Sequence, residues 1–400
     1  MESLADEILE EILLKLPTRD AARCCCVSRL WQKIVTDPSF RALHAKETHV
    51  VSGDGTEALL VSEICVPGKP LEATVSNASS GKPMCSVDDL AVGYSPINVC
   101  NGFLLIAPRV KNSPLFVCNP VTGEKLEIAP PREINLVYRR MDTMGFSPST
   151  NQYKLFHFSF TVDPRWRRHP HLIPCSTRYG LYSSPPVLLN GKLFGVVRRS
   201  GCYGPPDRML VIDVASEALG TYRLRDPRIT EEAAVVHTLE LRGQLCIAVH
   251  VRHQLDFWIM PPLGAQLHNM EDEKLPKWRL CYSFYIDIYG TKDHMSGAWF
   301  NDAGGLLCYK LRDRLYKYDT TKNKKQQQQT CVWDNQIWMP ATQSSNNNRR
   351  WSVYGGYRPS LLSPRLAFES NLQHKDAQEH FEHALLHTVG CHLINVTKIK

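Results

Sequence analysis

The sequence predicts an α+β, multidomain fold: a three-helix unit at the N-terminus, then a mainly antiparallel β domain that is propeller-like. Three observations carry this expectation. The first 40 residues place apolar side chains at helical spacing. After Phe40 that period gives way to short apolar runs separated by glycine-containing turns. These turn-plus-strand signals return roughly every 45 to 60 residues, near the period of kelch and WD-type blades. The expected boundaries are a docking unit over 1–45, a β-rich domain over 56–360, and a C-terminal helix and irregular tail over 361–400.

In the first helix Leu4, Ile8, Leu9, Ile12, Leu13 and Leu16 recur at helical spacing, and Glu2, Asp6, Glu7, Glu10 and Glu11 fill the opposite face. Ser3 is placed to cap it, with Asp6 three residues on. Pro17 stops it, and Thr18 is placed to cap a weaker second helix. Val27, Leu30, Trp31, Ile34 and Val35 form the stripe of a third, which Asp37-Pro38 ends. A unit this small buries too little apolar surface to fold alone. It is expected either to dock a partner or to cap its own protein. Residues 41–55 read as a linker, with Gly53-Asp54-Gly55 as a turn.

The β region opens with a strand at Ala58–Val61, and residues 67–88, rich in Gly, Pro, Ser and Asn, read as loop. Asn101-Gly102 is a tight-turn signal before Phe103–Ala107; Leu115–Cys118 runs into Asn119-Pro120-Val121-Thr122-Gly123, and Lys125–Ile128 returns. The unit recurs in degenerate form around Gly145, Asn190-Gly191, Arg242-Gly243 and Gly304-Gly305. Small antiparallel sheets of this kind bury their faces only against neighbours, as in a propeller; a β-sandwich of short strands is the alternative. Val332, Trp333, Ile337 and Trp338 read as a final strand, between polar low-complexity stretches at 322–329 and 344–348, and 375–387 reads as a helix. Trp299, Trp333, Trp338 and Trp351 are read as blade packing.

Two stretches resemble a known family. The run Leu4-Ala5-Asp6-Glu7-Ile8-Leu9 through Ile12, Leu16-Pro17, Cys26-Val27-Ser28, Leu30-Trp31, Ile34 and Asp37-Pro38-Ser39-Phe40 resembles an F-box. The pattern Val99-Cys100-Asn101-Gly102-Phe103-Leu104-Leu105 with Asn119-Pro120-Val121-Thr122-Gly123 is similar to the start of the β-rich associated domain of the large plant F-box families. The resemblance implies a non-catalytic substrate receptor of an SCF-type ubiquitin ligase. The F-box would dock a Skp1-type adaptor and, through it, cullin-1 and a RING subunit, while the β domain captures an unidentified protein. Implied adaptor contacts are Leu4, Ile8, Leu9, Ile12, Leu16, Pro17, Val27 and Trp31, some of which must instead pack the helices together. Where the family places Leu-Pro, this chain has Leu4-Ala5, which keeps the helix but loses proline's preset first turn and implies a weaker adaptor contact. A free-standing propeller that binds glycan or protein, and an F-box scaffold acting outside a ligase, stay open as alternatives.

Composition is that of an ordinary soluble protein, with 43% hydrophobic and 22% charged residues. A net charge of +7 over 400 residues is too mild to call for nucleic acid. The 14 cysteines include no C-x-x-C pair, which leaves no zinc pattern. No signal peptide or transmembrane run is read, so reduced thiols, a location in the cytoplasm or nucleus, and no membrane partner are expected. Asn77-Ala78-Ser79 and Asn395-Val396-Thr397 fit the glycosylation pattern and are expected to be silent.

No nucleophile elbow, P-loop or dinucleotide fingerprint occurs, and no catalytic residue, cofactor or metal is expected. His380, His383 and His387 share a helical face that reads as solvated rather than metal-binding. Arg165-Trp166-Arg167-Arg168, followed by His169, interleaves charge and aromatic surface. As a candidate substrate contact it would grip an acidic protein; one short run is a weak signal for nucleic acid.

Overall fold

A computed structural model describes residues 2–51, 57–64, 71–90, 94–108, 113–129, 141–159, 172–176, 179–181, 186–199, 208–224, 235–251, 253–260, 278–285, 295–301, 305–311, 314–321, 330–332 and 349–368. The chain opens with helices α1 (Glu2–Leu14), α2 (Thr18–Cys24), α3 (Arg29–Thr36) and α4 (Pro38–Val51). α1 already begins at Glu2, so Ser3 lies inside the helix rather than at its cap. The N-cap of α2 is Pro17, whose carbonyl accepts from Asp20 N at 2.8 Å and Ala21 N at 2.9 Å. Thr18, expected as that cap, is instead the first helical residue, and its buried hydroxyl donates to Pro359 O at 3.2 Å. α3 is capped by Ser28, whose Oγ accepts from Trp31 N.

Asp37 ends α3 and also starts the next helix. Its Oδ1 accepts from Ser39 N at 2.8 Å and Phe40 N at 3.2 Å, and Pro38 takes the first helical position, where a missing N–H costs nothing. Residues 41–51, expected as linker, are therefore helical. The turn expected at 53–55 lies outside the described residues.

The first two sheets are built from β1 (Glu57–Ile64), β2 (Leu71–Asn77) and β3 (Pro83–Leu90), then β4 (Tyr94–Cys100), β5 (Phe103–Pro108), β6 (Leu115–Cys118) and β7 (Lys125–Ile128). β2 and β3 replace the loop expected over 67–88. The third sheet has β8 (Met141–Ser147), β9 (Gln152–Ser159) and β10 (Leu172–Ser176), with β10 parallel to β9. The fourth has β11 (Tyr179–Leu181), β12 (Val187–Leu189), β13 (Lys192–Arg199), β14 (Arg208–Asp213) and β15 (Leu219–Arg223). The fifth has β16 (Val235–Leu241), β17 (Gln244–Val251), β18 (Gln254–Ile259) and β19 (Arg279–Tyr285). The sixth has β20 (Met295–Asn301), β21 (Leu306–Leu311), β22 (Arg314–Asp319) and β23 (Thr330–Val332).

The last strand, β24 (Arg349–Tyr357), pairs antiparallel with β1, so the β region begins and ends in one sheet. A short α5 (Pro364–Phe368) follows it. The described strands thus form six small sheets, nearly all antiparallel and each built from strands close in sequence, apart from the return of β24. This is the mainly antiparallel, propeller-like β region expected. Trp333, Ile337, Trp338 and the helix expected over 375–387 lie outside the described residues.

The recurring sequence unit has a physical cause. One turn of a sheet uses left-handed backbone: φ is 40° and 91° at Asn101-Gly102, 50° and 74° at Asn190-Gly191, and 52° and 68° at Arg242-Gly243. At Gly102 the constraint is double, because a Cβ there would also run into Ser360 Cβ. A later turn is closed by a side-chain carbonyl or carboxylate. Asn119 Oδ1 accepts from Val121 N at 2.9 Å, Asp213 Oδ1 from Ser216 N at 2.9 Å, and Asp319 Oδ1 from Thr321 N at 3.0 Å. Asn77 closes the corresponding turn of the first sheet through Ser79 N and Ser80 N, and it is buried there.

Two compact units divide the chain. One is Met1–Pro130 with Asn335–Lys400, the other Pro131–Asp334. In the first, helices and sheets share one core: Leu13, Ala21, Ala22, Cys25, Val35 and Phe40 pack in the same cluster as Leu59, Val61, Val75, Ile106, Tyr357 and Leu361. An ion pair from Arg19 to Glu57 and the Thr18 bond to Pro359 tie α2 to the sheets. Asn77 Nδ2 also donates to Glu57, at 2.7 Å. Asn119 Nδ2 holds the segment after β24 by donating to Ser360 O at 2.9 Å and Leu362 O at 2.8 Å. In the second unit, successive sheets stack through separate cores. One joins Phe156 to Leu193 and Ile212, the next Phe194 to Val236 and Ile247, the last Phe257 to Tyr309 and Tyr316.

Candidate protein-docking face

The helical unit sorts its apolar side chains into two sets. Leu13, Ala21, Ala22, Cys25, Val35 and Phe40 are buried, and Leu14, Leu16, Trp31 and Ile34 lean against that core from partly buried positions. Ile8, Ile12, Val27 and Leu30 are instead 52%, 49%, 63% and 38% exposed. Ile8 and Ile12 are four residues apart and share a face of α1. Val27 lies in the turn entering α3, Leu30 lies in the first turn of α3, and α1 packs against α3. Exposed Asp6, Glu7 and Glu11 border the α1 residues. A single exposed aliphatic residue needs no explanation; four on one small module make this surface the candidate docking face.

Of the residues expected to meet the adaptor, Ile8, Ile12 and Val27 are therefore open to a partner. Leu16 and Trp31 pack inward and hold the helices together. Leu9 is half-buried, and Pro17 is exposed with its carbonyl engaged in starting α2. Leu4 lies in the first turn of α1. Leu30 was in the stripe of the third helix but not among the expected contacts. The signal that separates it from Trp31 is burial, since both lie on one helical stripe. Leu43, on α4, is a further exposed aliphatic residue. Arg165, Trp166, Arg167 and Arg168, the candidate substrate contacts, and His380, His383 and His387 lie outside the described residues.

His44, on α4, is buried, and burial lowers its pKa against the opposing bond from its Nε2–H to Leu16 O at 3.0 Å. Burial, with Asp20 adding to it, raises the Cys24 thiol. In the β region burial likewise raises the Cys100 and Cys246 thiols and brings Cys308 to about 11, so these remain protonated and inert near neutrality. Among the described residues no group of three or more His, Cys, Asp or Glu converges as metal ligands do, and no helix is long and apolar enough to cross a membrane.

The F-box domain family matches residues 1–43, which hold α1 to α3 and the start of α4. The Arabidopsis thaliana F-box/LRR-repeat protein At2g43260 is 21% identical over 350 residues, 80% of this chain and 77% of that protein. The Arabidopsis thaliana putative F-box protein At1g53370 is 22% identical over 158 residues, 39% of this chain. The chain spans 41% of the length of the latter and 54% of another such relative, about half of each. Among solved structures, the β-propeller domain of Myceliophteria_thermophila Cps50 (Swd1) aligns over 70% of this chain and 82% of its own, at 12% identity and a TM-score of 0.39. The chain carries an F-box domain at its N-terminus and is homologous to many Arabidopsis F-box proteins.

Proposed function

We propose that the chain is the substrate-recognition subunit of an SCF-type ubiquitin ligase, acting in the cytoplasm or nucleus. Residues 1–45 dock a Skp1-type adaptor, which brings cullin-1 and a RING subunit, and residues 56–360 capture the target protein. The chain performs no chemistry itself; it raises the effective concentration of the target beside a ubiquitin-charged enzyme. One observation supports this most: within a matched F-box, Ile8, Ile12, Val27 and Leu30 stay exposed while Leu13, Ala21, Ala22, Cys25, Val35 and Phe40 are spent on a core shared with the β sheets. The helices are joined to the first two sheets by packing, the Arg19–Glu57 pair and the Thr18–Pro359 bond. A docked adaptor would therefore hold those sheets at a fixed position instead of on a slack tether.

The test is co-purification of the full chain with Skp1 and cullin-1. The intact protein is expected to associate with both, and Ile8→Asp combined with Ile12→Asp is expected to lose both while keeping its melting temperature. Association that survives the double substitution, or no association of the intact folded protein, contradicts the assignment.

A further inference from the structure

The corner between the fifth and sixth sheets carries a cluster that adaptor docking does not use. Arg242, in the turn between β16 and β17, holds its guanidinium over the Phe300 ring, 3.9 Å from Cζ to centroid. The Tyr282 ring lies 6.2 Å from Phe300 and meets Tyr318 edge-on at 5.9 Å. Arg279 opens β19 opposite Ile259, and Tyr282 stands opposite Phe257. Ile259 and Phe257 both belong to the core these two sheets share, so Arg279 and Tyr282 stand on that side of β19. Burial raises the Tyr282 pKa, and the charges of Arg242 and Arg279 pull against that rise, so both guanidinium groups are within electrostatic reach of its hydroxyl.

Both arginines are exposed and both tyrosines are half-buried. Among the described residues neither arginine has a carboxylate partner, and neither tyrosine hydroxyl has a hydrogen bond. The adjacent acid, Asp319, is committed to its own turn through Thr321 N at 3.0 Å and Thr321 Oγ1 at 2.6 Å. Among the described residues the corner therefore presents two guanidinium groups without a direct carboxylate partner, on an aromatic floor.

We propose that Arg242, Arg279, Tyr282 and Tyr318 anchor an acidic peptide segment of the captured protein. This rests on the receptor reading above and gives it a chemistry of recognition. A guanidinium donates two parallel N–H bonds to one carboxylate, and a tyrosine hydroxyl adds a third donor. Arg242 is already held against Phe300, so less side-chain freedom is lost on binding. Arginine and tyrosine around a partly buried aromatic centre are the residue types that dominate protein interfaces. Two guanidinium groups form a point anchor, whereas nucleic acid calls for an extended basic face; a protein segment is the better match.

The test uses the full chain bound to Skp1, with anisotropy of a fluorescein-labelled octaglutamate peptide read at low and moderate salt. Octaglutamate is expected to bind, to weaken with salt, and to weaken at least tenfold for Arg242→Gln combined with Arg279→Gln. Arg279→Gln alone, at an exposed position, is expected to lose at least threefold and serves if the double variant fails to fold. Unchanged affinity in the folded variants, or no binding to the intact chain, overturns the proposal. So does preferential binding of a phosphoserine peptide of equal length, or of oligo(U). Skp1 association, read in the same samples, shows separately whether the receptor assignment has failed.

Discussion

Replacing Phe40 by alanine tests whether the F-box is a separable module. Phe40 is 1% exposed and sits in one cluster with Leu13 and Val35 from the helices and Leu59, Val75 and Tyr357 from the first sheet. Truncating a buried phenylalanine costs about 3–5 kcal/mol, from lost burial plus the cavity left behind. If helices and sheets unfold as one body, this loss appears in both. Amide-exchange protection would then fall by roughly 10²–10⁴ in peptides from β1, β2 and β24 as well as in the helices, within the limit set by total stability. Hydrogen exchange followed by mass spectrometry reads each segment separately. Acceleration confined to residues 2–51, with β1 and β24 unchanged, would refute the shared core. Removing residues 1–40 would likewise take six buried residues out of the core of the first sheets, so point substitutions on the exposed face are the cleaner test of adaptor binding.

Two further outcomes follow from side chains named above. Asn119→Ala leaves the buried carbonyl of Ser360 and the partly buried one of Leu362 without their donor and is expected to cost about 3 kcal/mol, read as a lower urea midpoint. His44, held neutral by burial, has a folded pKa below its unfolded value near 6.5. The unfolded chain therefore takes up the proton first, and stability falls as pH drops below about 6.5. Urea midpoints between pH 7.5 and 5.5 are expected to decline more steeply for the natural protein than for His44→Gln; equal slopes would contradict the assignment.

What the sequence disclosed depended on whether the signal was local. The Asn-Gly turns could be read because their left-handed backbone admits few residue types, and the first and third helices because their apolar stripes are dense. α4 was hidden because Asp37-Pro38 reads as a stop, and only its side-chain bonds reveal the same pair as a start. Its buried face also includes Arg41 and His44, which break an apolar pattern. β2 and β3 were hidden by the Ser, Gly and Pro content of the turn between them, although Ala73, Val75 and Val87 are core residues. β24 pairs with a strand nearly 300 residues away, a relation no local pattern carries. In the docking face, periodicity identified the stripes but not what covers them: Trp31 and Val27 looked alike until burial separated them.

The most direct measurement is the affinity of the intact chain for Skp1 by titration calorimetry, compared with Ile8→Asp combined with Ile12→Asp. About half of each isoleucine remains exposed, so covering it is worth about 1 kcal/mol per residue. Losing both costs about 2 kcal/mol, or roughly 30-fold, and two carboxylates forced out of water add to that. At least that loss is expected with the melting temperature unchanged, since neither side chain belongs to the core. Equal affinity of the two folded proteins would contradict it.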